Sequence, residues 1–516
     1  MSINQYNKIH SFGGNMRNAS NVSNVSNVSN VSNVSNASNA RNDDKSDTLY
    51  TKIHSPGNTK AVLGDINDET KKGKLHIFYN KLQKIYGYNE NIVLPYYDEV
   101  NKKYTDLIVL NNPEDVVNIA EKHVKKSPYL KKVLYDSIIS TTSVDHWRDQ
   151  RRDYQQAFTI SKYAEMIKIS NKRTKVCVSN LESICKSSGS NVIDLYEFFL
   201  NETLAQLQLA LLGVSDTFQE NTNSRIRKSF RGEDNDYARE YAFSLLKEVK
   251  SSKCHLGKIM AERESPLKTK REEFGNALIF TFAGHDTTAN TLTWLIFELC
   301  RNPKYYNRFQ EEVDNFWMKK STMSSTEIEY NDFKTLPFIT CCIMETLRLW
   351  TSIPNGTSRE LIHDDYITGK SGTKVNLPKG TYVQIPNWTR HRNPELWGKD
   401  VLEFNPDRDF ESEEIYGNSG LAGYNPGTPR FSPFTFGPRD CIGKNFSQIE
   451  MRLILLHLLK NFDFELANNQ LTRYNPETIS FNSATLNPRN IYNENLYQKR
   501  YGMYVKIISR FQKSKL

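Results

Sequence analysis

Seven cysteines are present, Cys177, Cys185, Cys254, Cys300, Cys341, Cys342 and Cys441, and only the last has neighbours suited to chemistry. It lies in F-T-F-G-P-R-D-C-I-G, running from Phe434 to Gly443. The stretch from Ile442 to Leu459 has the apolar spacing of a strong amphipathic helix. A cysteine at the start of such a helix sits near the positive end of its dipole, which favours a thiolate. Arg439 adds positive charge, and Gly437 permits a tight turn. Gly443 removes a side chain where a flat ligand could approach the backbone, and Phe434 could shield the sulfur from water. From the residues alone, a buried structural cysteine in a glycine-containing loop is the competing reading.

A second feature interrupts the apolar helical segment from Phe274 to Cys300: Ala283-Gly284-His285-Asp286-Thr287-Thr288. Polar groups buried without partners cost on the order of 1–3 kcal/mol each, so the island needs partners or a use. Ala-Gly opens space on one face, where Asp286 and Thr287 could relay protons to something bound; otherwise the island faces solvent or caps a kink. Two further pairs are weak by themselves. Glu345 and Arg348 share a helix face, a pairing worth ~0.2–0.5 kcal/mol when exposed. Trp147 and Arg151 share another, as in any amphipathic helix with a half-buried tryptophan.

Taken together, these patterns resemble the cytochrome P450 superfamily. F-x-x-G-x-R-x-C-x-G is similar to its haem-binding loop, and [AG]-G-x-[DE]-T-[TS] to its oxygen-activation motif. E-x-x-R at Glu345, F-N-P-D-R ending at Arg408, and W-x-x-x-R at Trp147 follow the family's order. The resemblance runs from about Leu75 onward, with Gly443, Phe446 and Glu450 in pattern and Ser447 where alanine is more usual. It implies that Cys441 is the axial ligand of the iron of haem b. By the same likeness Arg439, Trp147, Arg151 and Arg359 contact its propionates. Thr287 would sit by the oxygen, with Asp286 feeding protons. Glu345, Arg348 and Arg408 would form a buried charge network beneath the cysteine loop.

The implied fold is mainly α with a minor β portion, in which a long central helix crosses the haem and the cysteine loop lies on the opposite face. The implied activity is a monooxygenase acting with molecular oxygen on a small organic, apolar substrate. Its electrons would come from a separate reductase or ferredoxin, and Lys444 is a candidate for docking that partner. A peroxide-using or isomerising haem-thiolate enzyme and a non-catalytic haem-binding sensor are the alternatives. The Asp286–Thr287 pair weighs against the isomerase and the sensor.

Other elements must position these residues. Residues 1–60 read as a disordered Asn/Ser-rich tail containing an uninterrupted N-[AV]-S repeat from Asn18 to Ser38. Residues 61–516 read as a single catalytic domain. Helices are expected at Leu75–Ile85, Glu114–Lys122, Val144–Phe158, Ile193–Leu212 and Phe338–Trp350. Strands are expected at Leu107–Leu110, within Leu361–Ile385 and at Tyr504–Ile508. By the same resemblance the stretch from Gly213 to Arg271 should roof the substrate pocket, yet it is short and polar beside many members of the family.

Composition sets limits. A net charge of +9 over 516 residues is a modest basic bias, compatible with an acidic partner or an anionic membrane surface. Without a long Lys/Arg run or a known motif, nucleic acid is not an expected partner. An odd cysteine count without C-x-x-C argues against a disulfide framework or a zinc site. No apolar run reaches transmembrane length, and no signal peptide is legible. The expected location is cytoplasmic, or peripheral on the cytoplasmic side of a membrane. The lack of G-x-G-x-x-G and of a phosphate loop argues against a fused flavin reductase.

Overall fold

The computed structural model describes residues 49–98, 100–187, 191–231, 234, 236–323, 327–415, 427–467 and 503–510. The Asn18–Ser38 repeat lies outside the described residues. The chain is mostly helical, and its helix starts are written locally in the sequence. Thr59 caps α1 (Lys60–Lys71), which precedes α2 (Leu75–Tyr86). After the hairpin β1 (Ile92–Asp98) and β2 (Lys103–Val109), Asn112 caps α3 (Pro113–Lys122), with proline in its first turn. Ser143 caps α4 (Val144–Tyr154), and α5 (Ile160–Ser187) follows.

Ile193, expected in a helix, instead belongs to β3 (Val192–Asp194). Asp194 then caps α6 (Leu195–Gln206), which continues as a π-helical turn over Leu207–Leu212. The apolar run there is buried on several sides, so its periodicity did not mark where strand gives way to helix.

The polar stretch from Gly213 to Arg271 folds into α7 (Asp216–Phe230), α8 (Tyr237–Glu248) and α9 (His255–Glu262). Ile226, Phe230, Tyr241, Leu245 and Leu256 supply its buried face. Several of its charges are paired, Arg227 and Arg231 with Glu197, and Arg263 with Asp149, Asp153 and Glu272. The polarity therefore reflects ion pairs around a small core.

Next come α10 (Lys270–Arg301), α11 (Pro303–Thr322) and α12 (Pro337–Leu349). Four short strands follow: β4 (Thr357–Glu360), β5 (Asp365–Thr368), β6 (Lys374–Leu377) and β7 (Tyr382–Ile385). The helix after Cys441 is α13 (Lys444–Asn461), followed by β8 (Phe462–Leu466) and β9 (Tyr504–Ser509). The sheets have orders β1-β2-β7-β4, β3-β9-β8 and β5-β6. In the first sheet β2 and β7 are parallel, with Leu107 opposite Tyr382, and β4 closes the edge antiparallel to β7. Packing begins ahead of residue 60: Ile53, within the expected tail, is fully buried in a cluster with Val93, Ile108 and Val383.

The long α10 runs through the main core, where Leu292, Trp294, Leu295 and Phe297 are fully buried. Trp294 stacks on Trp350, with ring centroids 4.0 Å apart, tying α10 to the end of α12. Among the described residues, no helix is long and apolar enough to cross a membrane.

Candidate active site

The cysteine loop is shaped by its backbone. The Cys441 amide donates to the Phe434 carbonyl at 2.8 Å, closing the loop on itself. Thr435 and Gly437 both adopt left-handed conformations, with φ of 70° and 73°. At Gly437 a Cβ would lie 2.7 Å from the Ala120 carbonyl oxygen, so the close approach of the loop to α3 requires glycine. Phe434 is half-buried beside the main core.

Cys441 remains accessible, while the six other cysteines are buried or half-buried. The surrounding protein nevertheless pushes its thiol pKa up, and the backbone N–H of Gly443 pulls the other way. Accessibility together with desolvation is what a side chain in the wall of a recess experiences. The start of α13 does not by itself secure a thiolate. A metal cation at the sulfur would.

Three cations gather next to this loop. Arg439 is buried, and its guanidinium donates to the carbonyls of Val124 (2.9 Å), Ile138 (3.0 Å) and Thr141 (3.2 Å). It also stacks over Trp147, 4.4 Å from the ring centre. Arg359, on β4, is fully buried; its Nη1 donates to the Ser358 carbonyl and to Thr357 Oγ1, while Nε and Nη2 have no partner. Lys126 is buried as well and donates to the same Thr357 hydroxyl. Among the described residues no carboxylate pairs with any of the three.

Burial pushes Arg359 down to about 10. Burial and the charges of Arg359 and Arg151 push Arg439 down to about 8. Burial and its two cationic neighbours hold Lys126 well below the usual lysine range. Buried, mutually repelling cations with orphaned donors are expensive unless an anion joins them. A cofactor that brings carboxylates to this cluster and a thiol-binding metal to Cys441 fits the residues present, and haem is such a group. Lys126 was missed in the sequence, where it is one lysine in K-H-V-K-K-S; only the fold brings it to β4.

Arg151, implied by resemblance as a propionate contact, bonds to the cysteine loop itself. Its Nη2 is 2.6 Å from Asp440 Oδ1, and its Nη1 donates to the Asp440 carbonyl at 2.8 Å. Lys444 reaches the other Asp440 oxygen at 2.6 Å. Arg151 thus braces the cysteine loop from α4, and Lys444, considered as a docking residue, is drawn back onto the loop.

On α10, Asp286 is buried and accepts a hydrogen bond from the Tyr196 hydroxyl of α6 at 3.0 Å. Asn290 stands 3.4 Å from its other oxygen. Thr287 is half-buried; its hydroxyl donates to the Ala283 carbonyl at 2.9 Å, and its own carbonyl accepts from Ser352 at 3.0 Å. The polar island is therefore internal and partnered. Gly284 has a different use from the one expected of it: a Cβ there would meet Leu207 Cδ1 at 2.6 Å. Its missing side chain admits the neighbouring π-helical turn. His285 is buried against Phe230 and Phe282, and burial pushes its pKa down to about 4.

Glu345, Arg348 and Arg408 meet as a closed network. Arg348 binds both Glu345 oxygens at 2.7 Å, and Arg408 Nε is 3.0 Å from Oε1. The remaining Arg348 donors go to the carbonyls of His391, Val401 and Glu403.

One further cluster has metal-ligand composition, His123, His363 and Asp365. Its hydrogen bonds explain it without a metal. His123 Nδ1 accepts the Ile362 N–H at 3.0 Å, so Nε2 carries the proton and donates to Asp365 at 3.0 Å. Lys122, 3.3 Å away, balances the carboxylate.

Comparison with known proteins agrees with this geometry. A family model described as Cytochrome P450 matches residues 253–492. Cytochrome P450 4F3 of Mus musculus is 26% identical over 401 residues, covering 67% of this chain and 71% of that protein. The 7-deoxyloganic acid hydroxylase of Catharanthus roseus is 32% identical over 216 residues, covering 42% of this chain and 38% of the relative. Cytochrome P450 CYP13A2 of Caenorhabditis elegans is 33% identical over 197 residues, and the chain spans only 34% of its length. A mostly helical architecture with small sheets, one recessed cysteine and these matches support one family for this chain, the cytochrome P450 superfamily.

Proposed function

We propose that the chain is a haem-thiolate monooxygenase that oxidises a small organic, apolar substrate. The observation that carries this reading is the accessible Cys441 beside three buried cations without an anion. In this reading Cys441 Sγ would bind the iron of haem b. Arg359, Arg439 and Lys126 would hold the propionates, with Trp147 fixing the Arg439 plane, and Phe434 and Gly443 would shield and admit the group near the sulfur. Arg151 holds the loop through Asp440. When bound, the haem supplies redox-active iron that a thiolate ligand tunes for cleavage of the O–O bond.

The other residues work by position. Asp286, held by Tyr196 and Asn290, keeps an ionisable oxygen one residue from Thr287 in an otherwise apolar wall. Thr287 Oγ1 then passes protons into the pocket, exchanging its bond to the Ala283 carbonyl for one to the reacting group. In balance, substrate, molecular oxygen, two electrons and two protons yield hydroxylated product and water. The electrons come from a separate reductase or ferredoxin. Peripheral contact with the cytoplasmic side of a membrane is compatible with the basic charge balance.

The test is Thr287→Ala, assayed for electrons consumed, peroxide released and product formed. The proton-relay assignment predicts that electron consumption continues while product per electron falls about tenfold or more and peroxide rises. Unchanged coupling would remove Thr287 from the relay. Turnover driven by peroxide alone, with none supported by a reductase, would favour the peroxide-using alternative.

A further inference from the structure

A cavity lies at the N-terminal end of α10. It holds about 450 Å³, opens to solvent, and is walled by Tyr135, by Arg239 and Phe243 of α8, and by Lys270, Arg271, Glu273 and Phe274 of α10, with the Glu273 carboxylate drawn to Lys268 at 2.9 Å. Phe274 is twelve residues before Asp286 on one helix, which places them roughly 18 Å apart along the axis at ~1.5 Å per residue. This cavity is therefore outside the site described above.

Its floor is aromatic. Phe274 lies 5.2 Å from Tyr135 and 5.9 Å from Phe243, centre to centre. Phe243 is 57% exposed, which water disfavours for so large an apolar side chain. Its rim is cationic. Arg239 stands over Phe243 and Arg271 over Tyr135, each 5.7 Å from the ring centre.

Lys270 and Arg271 also occupy the first turn of a 32-residue helix, where the dipole disfavours cations. The acids of that turn do not relieve them: Glu272 serves Arg263 and His146, and Glu273 pairs with Lys268 at 2.9 Å. Arg271 has only a loose contact with Asp136 at 3.7 Å, and Lys270 has no ion pair among the described residues. Helix stability does not account for two cations there. Both are exposed to solvent, and a negative group in the cavity would face both of them.

We propose that this cavity binds a small amphipathic organic anion, an aromatic or acyl body carrying a carboxylate or sulfonate. The body lies on Phe243, Phe274 and Tyr135, and the acid group meets Lys270, Arg239 and Arg271. The volume is within the range of ordinary small-molecule sites. The binding does not depend on the proposed oxygen chemistry.

The test is calorimetric titration of the full-length, haem-loaded protein with 2-naphthalenesulfonate. The proposal predicts saturable binding at one site that weakens as salt is raised. In the double variant Arg239→Glu with Lys270→Glu, Kd should rise about tenfold or more. Phe243→Ser should weaken binding without altering charge, and covers failure of the double variant to fold. Lys379→Glu, an exposed charge change elsewhere, should leave Kd unchanged. Equal affinity in the double variant and Phe243→Ser would overturn the site. So would an equal loss in Lys379→Glu, or binding abolished by imidazole at the iron yet indifferent to the cavity variants.

Discussion

Two clusters of buried charge in this fold are built on opposite plans. Glu345, Arg348 and Arg408 form a set in which a carboxylate meets two guanidinium groups, and backbone carbonyls take most of the remaining donors. Lys126, Arg359 and Arg439 are as deeply placed but share no anion, and Arg359 keeps two nitrogens without partners. The first cluster is complete within the chain and holds structure together. The second is incomplete, and its missing part has the charge of a ligand. A buried ion network therefore reveals its role by whether its hydrogen bonds close.

The largest expected effect breaks the closed cluster. Glu345→Gln leaves the fully buried Arg348 without its anion, while Arg408 keeps Asp400 at 2.9 Å, and should cost ~3–5 kcal/mol in denaturant unfolding. A loss below about 1 kcal/mol would mean that the network is not structural.

A second effect separates buried groups that stay neutral from those that are paired. Burial holds His285 and His457 each down to about 4, against an ordinary value of 6.5. As pH falls below 6.5 the unfolded chain takes up protons first. The stability these residues contribute is complete above 6.5 and is lost progressively down to about pH 4, roughly 3 kcal/mol for each. His285→Asn should flatten the acid limb of the stability–pH curve, and an unaltered slope would contradict the assignment.

The smallest effect on stability belongs to the open cluster. Arg359→Met removes one of three repelling cations, so the haem-free protein should change by less than ~1 kcal/mol or gain. Haem affinity should fall in the same variant, read by haem transfer to apomyoglobin. Loss of stability with unaltered haem affinity would reverse the roles assigned to the two clusters.

The sequence carried part of this picture. The starts of α3 and α4 were legible where Asn112 and Ser143 cap locally, whereas α10 begins at Lys270 behind Thr269, ahead of the expected Phe274, because its first turn is charged; the cysteine loop was legible because its glycines, Arg439 and Cys441 have fixed offsets. Contacts made only in three dimensions were not. Lys126 joins Arg359 across more than two hundred residues, and Tyr196 reaches Asp286 from another helix. Gly284 reads as room for a ligand, yet the space it leaves is filled by Leu207. The polar stretch from Gly213 to Arg271 hid three helices, because their partners for ion pairing lie largely outside it, at Glu197, Asp149, Asp153 and Glu272.

The central claim is that Cys441 presents a thiolate to haem iron, and the most direct measurement is the carbon monoxide difference spectrum of the reduced protein. A Soret band strongly shifted to the red, abolished in Cys441→Ala while Arg359→Met retains its position at reduced haem content, is the predicted result. A band at the position typical of histidine-ligated haem, or a red-shifted band that persists in Cys441→Ala, would contradict the account.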